Sequence, residues 1–449
     1  MVLEFLVIFF ILLLLVIKKN GLIVLSSDLF WIFTVWIFLL GIYYSSGIDY
    51  TYPLSLKTIF YLIVGFTIYF LFRWIGLHVI MFKTQDNIEN KMYLKDESHI
   101  NTITFFFISL IGSIIYILDI IRVNGFSMGT KPDYAVSKIG ALSFVFVPIM
   151  LVIWIYEINY SIRYGKKVKL RTIFAFIVYF IISLVISGRQ SIFYLLLATI
   201  VSVPWSLAIS GKNQSVLKIL KNNKIFNKLR YPFLILLIII ITYFIFLSDT
   251  RYGNGYIQMY EYFMATDFPD SIIKQSEMLG YFGKIYLNII VYFSHQLSKL
   301  EIVFKYYDGP YLLGLYQLNI ISRRLPLSWG LDYRLVSISK RSILESIGQM
   351  GLASGWDTIW GSLISDFGRI GSIVVVAILG LIVGKNRKKF NNNKTVAYLV
   401  TQSLICVGIY STVQIGPFFD IGWLYAVIWW KFILVINRNK ISKNKNFKF

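Results

Sequence analysis

Apolar runs recur along this chain with short, basic links between them, and that rhythm restricts it to very few folds. A helix that crosses a bilayer needs about 20 mostly apolar residues. Only helices and closed barrels satisfy every backbone N–H and C=O away from water. Eleven runs approach the required length, over residues 2–17, 22–42, 54–72, 102–121, 139–158, 172–187, 191–210, 232–247, 358–384, 395–413 and 421–436. With 57% of all residues hydrophobic, the expected fold is an all-α polytopic integral membrane protein of about eleven transmembrane helices. The first run has no basic residue ahead of it and no small-residue cleavage site after it, so it reads as a first membrane helix rather than a removable signal.

The net charge of +22 points to topology rather than to nucleic acid, because the Lys and Arg collect in the links between apolar runs. Placing the amino terminus outside leaves six segments on the cytoplasmic side, which together carry 27 Lys or Arg. The short outer loops then carry only Arg122, Lys131, Lys138 and Arg189. This asymmetry follows the positive-inside rule. It divides the chain into helices one to eight (1–247), a large extracytoplasmic loop (248–357), helices nine to eleven (358–436) and a basic cytoplasmic tail (437–449).

The outer loop is electrically balanced, with ten Lys and Arg against ten Asp and Glu. Within it, residues 284–307 read as an amphipathic helix, with Lys284, Asn288, His295 and Lys299 on one stripe and Ile285, Ile289, Val291, Tyr292 and Phe293 mostly on the rest of the surface. Such a helix is expected along the outer interface, with its polar edge toward protein or water. Asp308-Gly309-Pro310 ends it. Cys406 is the only cysteine and sits in an apolar run, which excludes an intramolecular disulfide and a thiol-rich metal site. There is no Asp-x-Asp and no His-x-x-x-His spacing, so neither metal nor other cofactor is expected.

Candidate functional residues are those costly to keep near lipid. Arg189 lies in the turn Ser187-Gly188-Arg189-Gln190-Ser191, where a guanidinium either reaches lipid phosphates or clamps a bound phosphate. Arg251, Arg323, Arg324 and Arg334 are further outer-face guanidinium groups among Tyr and Trp residues suited to stacking on sugar rings. In Ser365-Asp366-Phe367-Gly368-Arg369-Ile370-Gly371, residues three apart share a helix face, so Asp366 and Arg369 are expected to pair or to face one cavity. His295 is the only histidine of the outer loop, either a structural hydrogen-bonding group or a general base.

Taken together, these features make the chain resemble the Wzy-type O-antigen and capsular repeat-unit polymerases, also called the oligosaccharide repeat unit polymerase family. The likeness rests on the helix count, the dominant late outer loop, the turn at Arg189, Asp308-Gly309-Pro310-Tyr311-Leu312-Leu313-Gly314, and Trp356-Asp357-Thr358-Ile359-Trp360 followed by the Asp366–Gly371 motif. The resemblance implies a glycosyltransferase in the bacterial cytoplasmic membrane. Its donor would be a growing glycan on undecaprenyl pyrophosphate, and its acceptor the terminal hydroxyl of a new lipid-linked unit. The lipid bilayer is its surroundings, a chain-length regulator is a plausible partner by the same resemblance, and no nucleic acid is expected.

On that reading Arg189, Arg251, Arg323, Arg324 and Arg334 bind pyrophosphate or glycan, Asp366 or His295 is the base, and Arg369 orients Asp366. An O-antigen ligase-like transferase shares the frame and donor, and a flippase of the lipid-linked unit is the alternative outside enzymology.

Overall fold

In a computed structural model, residues 2–79, 100–124, 137–185, 189–209, 242, 256–264, 266–318, 322, 326–354, 357–413 and 420–446 are described. Among them the chain is helical, with no strand. The elements are α1 (Val2–Asn20), α2 (Asp28–Ser45), α3 (Leu56–His78), α4 (Ile103–Asn124), α5 (Lys138–Phe144), α6 (Ile149–Arg163), α7 (Leu170–Val185), α8 (Arg189–Ile209), α9 (Tyr256–Met264), α10 (Asp270–Met278), α11 (Gly283–Tyr306), α12 (Tyr333–Ser346), α13 (Ile359–Asn393), α14 (Val396–Ser411) and α15 (Ile421–Asn446). Six stretches are long and apolar enough to cross a membrane: α2, α3, α4, α5 with α6, α8 and α13. α7, α14 and α15 supply shorter apolar lengths, so this is a helical membrane protein. The predicted eighth span, 232–247, lies outside the described residues except for Tyr243's neighbour Thr242, which is helical.

The bundle has two cores. One joins α2, α3, α11 and the start of α13, and the other joins α4, α6, α7, α8 and α15. α14 and the residues just after it contribute to both, with Ile409 and Val413 in the first and Val400, Leu404 and Val407 in the second. The most extensive helix pairing is α3 against α13. It depends on Gly76, Gly380 and Gly384, where a Cβ would collide with the carbonyl oxygens of Leu381, Tyr69 and Arg73. In lipid, where apolar burial does not drive helices together, such close backbone approach supplies the packing.

Polar contacts sort the helix ends into two groups. At one end Arg73 grips Asp28 through Nε and, at 2.9 Å, through Nη2. There Arg387 donates to Ser26 O at 2.8 Å, and Glu157 accepts from Arg171 and Thr172, each at 2.6 Å. At the other end Glu301 accepts from Ser55 N at 3.0 Å, Ile359 N donates to Thr412 O at 2.7 Å, and Tyr194 meets Ser411 at 2.8 Å. The starts of α2, α4, α7 and the ends of α3, α6 and α13 thus share one end, as an alternating up-and-down path requires.

Helix α11 follows the predicted limits, and its polar edge faces protein, one of the two expected directions, but the helix is packed into the core rather than laid along the outer interface. It is a core element, and its polar stripe turns inward: Asn288, His295 and Lys299 are buried, along with Gln296 and Glu301. Two polar groups of this helix meet partners within the protein, Ser298 donating to Tyr52 O at 3.1 Å and Glu301 accepting from Ser55 N ahead of α3.

Candidate functional site

The densest charge cluster of the described residues forms where α11, α12 and the turn around Tyr316 meet the start of α13. Thr358 caps α13, its Oγ1 accepting from Gly361 N at 3.3 Å, and this fixes the preceding residue, Asp357, at the helix mouth. α12 carries Val336, Lys340 and Leu344 on its buried face, so an ammonium sits in the middle of an apolar stripe. Lys340 Nζ donates to Asp357 Oδ2, and Tyr316 OH donates to the same oxygen at 3.0 Å. Lys299, from α11, places Nζ 3.4 Å from Oδ1, an ion pair without hydrogen-bond geometry. The Lys340 ammonium also lies 4.6 Å from the centre of the Tyr316 ring and 5.9 Å from that of Tyr307.

Burial raises the Asp357 carboxyl, but Lys299 and Lys340 more than offset this and hold it below the usual carboxylate range. Burial pulls Lys340 down from its ordinary value, against the opposing pull of Asp357. The centre therefore sets two ammonium groups against one firmly ionised carboxylate, with all three side chains less than one-tenth exposed. Ammonium groups converging on such a centre are donors of the kind that hold anionic oxygens.

The predicted site residues divide. His295 is buried on the same face of α11 as Lys299, and its Nδ1 meets the Val291 carbonyl. That carbonyl only accepts, so Nδ1 carries the proton and Nε2 is the acceptor. Burial foremost, with Lys299 adding to it, lowers His295 to about 4, which keeps the ring neutral near pH 7.

Asp366 is fully buried, and its oxygens accept from Tyr316 N at 2.9 Å and Gln317 N at 3.0 Å. Its carbonyl also accepts from Leu313 N at 2.9 Å. Asp366 thus caps the turn that delivers Tyr316 to Asp357.

Arg369 does not pair with Asp366. Gly368, at φ 71° and ψ 178°, breaks α13 between them, so the three-residue spacing no longer places both on one face. Arg369 instead reaches the end of α11, donating from Nε to Phe304 O at 2.7 Å and pairing with Asp308 at 2.9 Å. Arg334 is paired with Asp332, the cap of α12, and is half-exposed. Arg189 opens α8, but its side chain lies outside the description, and Arg251, Arg323 and Arg324 lie outside the described residues altogether.

No protein-family model, curated protein or solved structure matches this chain.

Asp357 belongs to the Trp356–Trp360 motif of the sequence, whereas Lys340 and Tyr316 belong to none of the candidate motifs. A signal for Lys340 was present. Val336, Lys340 and Leu344 are spaced by four, and a lysine on the apolar stripe of a helix demands a buried counter-charge. Nothing local marks Tyr316, whose role depends on the fold of the turn above Asp366.

Proposed function

We propose that this protein polymerises oligosaccharide repeat units carried on undecaprenyl pyrophosphate at the outer face of a bacterial cytoplasmic membrane. It does so as an eleven-span bundle with its amino terminus outside and its basic tail in the cytoplasm. The orientation is supported by the helix ends. Arg73, Arg163, Arg171, Arg387 and Lys394 belong to the cation-rich end, which the positive-inside rule assigns to the cytoplasm. The Asp357 cluster belongs to the opposite end.

The observation that carries the reading is the cluster itself: a buried pair of lysines around one carboxylate, built by the outer segment over the mouth of a membrane helix. In the reaction, the anomeric C–O bond to the pyrophosphate breaks and the electron pair leaves with the pyrophosphate. The acceptor hydroxyl oxygen forms the new glycosidic bond, and its proton passes to a base. Lys299 and Lys340 stabilise charge on the departing group. His295, neutral and with Nε2 as acceptor, takes the proton. Asp366 and Arg369 position the turn and the end of α11 around them, while Arg189, Arg251, Arg323 and Arg324 hold the remaining phosphate and glycan.

Deletion of the gene followed by complementation tests this reading on a gel that resolves single repeats. Loss of long chains with retention of one surface repeat, restored by wild type and not by Lys340→Met at equal protein level, is the expected result. Long chains accumulating on the lipid carrier indicate a ligase, and single units trapped inside the cell indicate a flippase. Either outcome overturns the polymerase reading.

A further inference from the structure

The short 3-10 turn Leu327–Trp329 leads into α12 and is exposed at every residue from 326 to 331. Its shape is set by backbone bonds, Trp329 N to Pro326 O and Gly330 N to Leu327 O, both 3.0 Å, and by Gly330 in the left-handed region at φ 68°. The turn therefore presents Leu327, Trp329 and Leu331 outward from a fixed backbone, with Trp329 65% exposed. Directly after it, Asp332 caps α12 by accepting from Arg334 N at 2.8 Å and holds the Arg334 guanidinium beside the turn. Arg334, Ile338, Arg341 and Glu345 then form the exposed stripe of α12, with Ile338 60% exposed. Arg341 makes no ion pair among the described residues.

Three large apolar side chains next to two guanidinium groups do not suit contact with bulk water alone. Their place in the fold favours one occupant. Lys340, on the opposite face of α12, is fixed to Asp357 two residues before α13 begins, so the whole element sits at the rim of the membrane bundle. A tryptophan with flanking leucines fits the headgroup layer, where one side is apolar and the other wet, and guanidinium groups match lipid phosphates. We propose that the turn of residues 327–331, with Arg334 and Arg341, is seated on anionic phospholipid headgroups and anchors the outer segment to the membrane surface. The proposal rests on the membrane fold and is independent of the polymerase reading.

The test is Trp329→Cys, labelled with an environment-sensitive fluorophore. Cys406 is buried, and protein without the introduced cysteine gives the background labelling. Ser346→Cys, exposed but off the stripe, serves as the water-facing comparison. The full chain is reconstituted in vesicles of phosphatidylethanolamine and phosphatidylglycerol. The expected result is a blue-shifted emission at position 329, quenched by lipids spin-labelled near the headgroup and not by aqueous iodide. Arg341→Gln or removal of the phosphatidylglycerol should reduce the lipid quenching. Iodide quenching equal to that at position 346 would show a turn in water and overturn the proposal. Protection that persists in detergent micelles and grows with protein concentration would assign the turn to a protein contact, which overturns it as well.

Discussion

Replacing Asp357 by Asn should be among the most damaging single changes outside the membrane spans. The substitution keeps the shape but removes the carboxylate that Lys299 and Lys340 both contact, and the two lysines are 6% and 7% exposed. Breaking a buried pair from one side costs roughly 3–5 kcal/mol, because the partner charge stays buried without compensation. Lys340→Met should cost less, about 1–3 kcal/mol, since Asp357 keeps Lys299 at 3.4 Å and Tyr316 at 3.0 Å. The double variant removes both charges of the closest contact and should recover about 2 kcal/mol relative to the sum. Equilibrium unfolding of the purified protein in mixed micelles, for wild type, both single variants and the double, completes the cycle. Additivity within about 0.5 kcal/mol would show that the two side chains are not coupled, and the cluster would then be an incidental meeting of charges.

Other consequences are open to direct measurement. His295 falls from an ordinary 6.5 to about 4 in the fold, so its neutral form contributes stability that is complete above pH 6.5 and is lost as pH falls toward 4. Between pH 8 and pH 5 the loss should be about 2 kcal/mol, and His295→Gln should flatten that part of the pH profile. Parallel profiles for the two proteins would contradict the burial of the ring. Asp366→Asn leaves one of two buried backbone N–H groups unpaired and should cost about 1–3 kcal/mol, with Asp366→Ala costing more. If Asn is instead fully stable and inactive, Asp366 has a chemical role beyond capping. Gly384→Leu forces a side chain into the Arg73 carbonyl and should prevent α3 and α13 from closing, read as loss of monodisperse protein on gel filtration; a normal profile would place that contact elsewhere.

Hydropathy and charge made the membrane class and most helix limits legible, because burial in lipid is written into consecutive residues. α3, α4 and α13 begin within two residues of the predicted runs. α2 starts later than predicted because residues 22–26 form a separate 3-10 turn ahead of Asp28. α13 runs on past the apolar stretch through Lys385 to Asn393, since a helix leaving a bilayer need not stop at its edge. The site was harder to read. Residue spacing in Asp366–Arg369 assumes an unbroken helix, and Gly368 removes that assumption. The polar residues of α11 gave the correct stripe but left its direction open between protein and water, a choice that depends on Asp357 more than fifty positions away in the chain. A buried charge is legible only when its counter-charge is known, and here the pairs are long-range.

The most direct measurement uses purified protein in proteoliposomes supplied with lipid-linked single repeat units and no other protein. Chains of two or more repeats should accumulate on the lipid carrier with wild type, with Lys299→Met and Lys340→Met at equal reconstitution giving at least tenfold fewer linkages, about 1.4 kcal/mol of lost stabilisation of the leaving group. Single units that remain single, or lysine variants that polymerise at the wild-type rate, would contradict the assignment of this buried centre to glycan transfer.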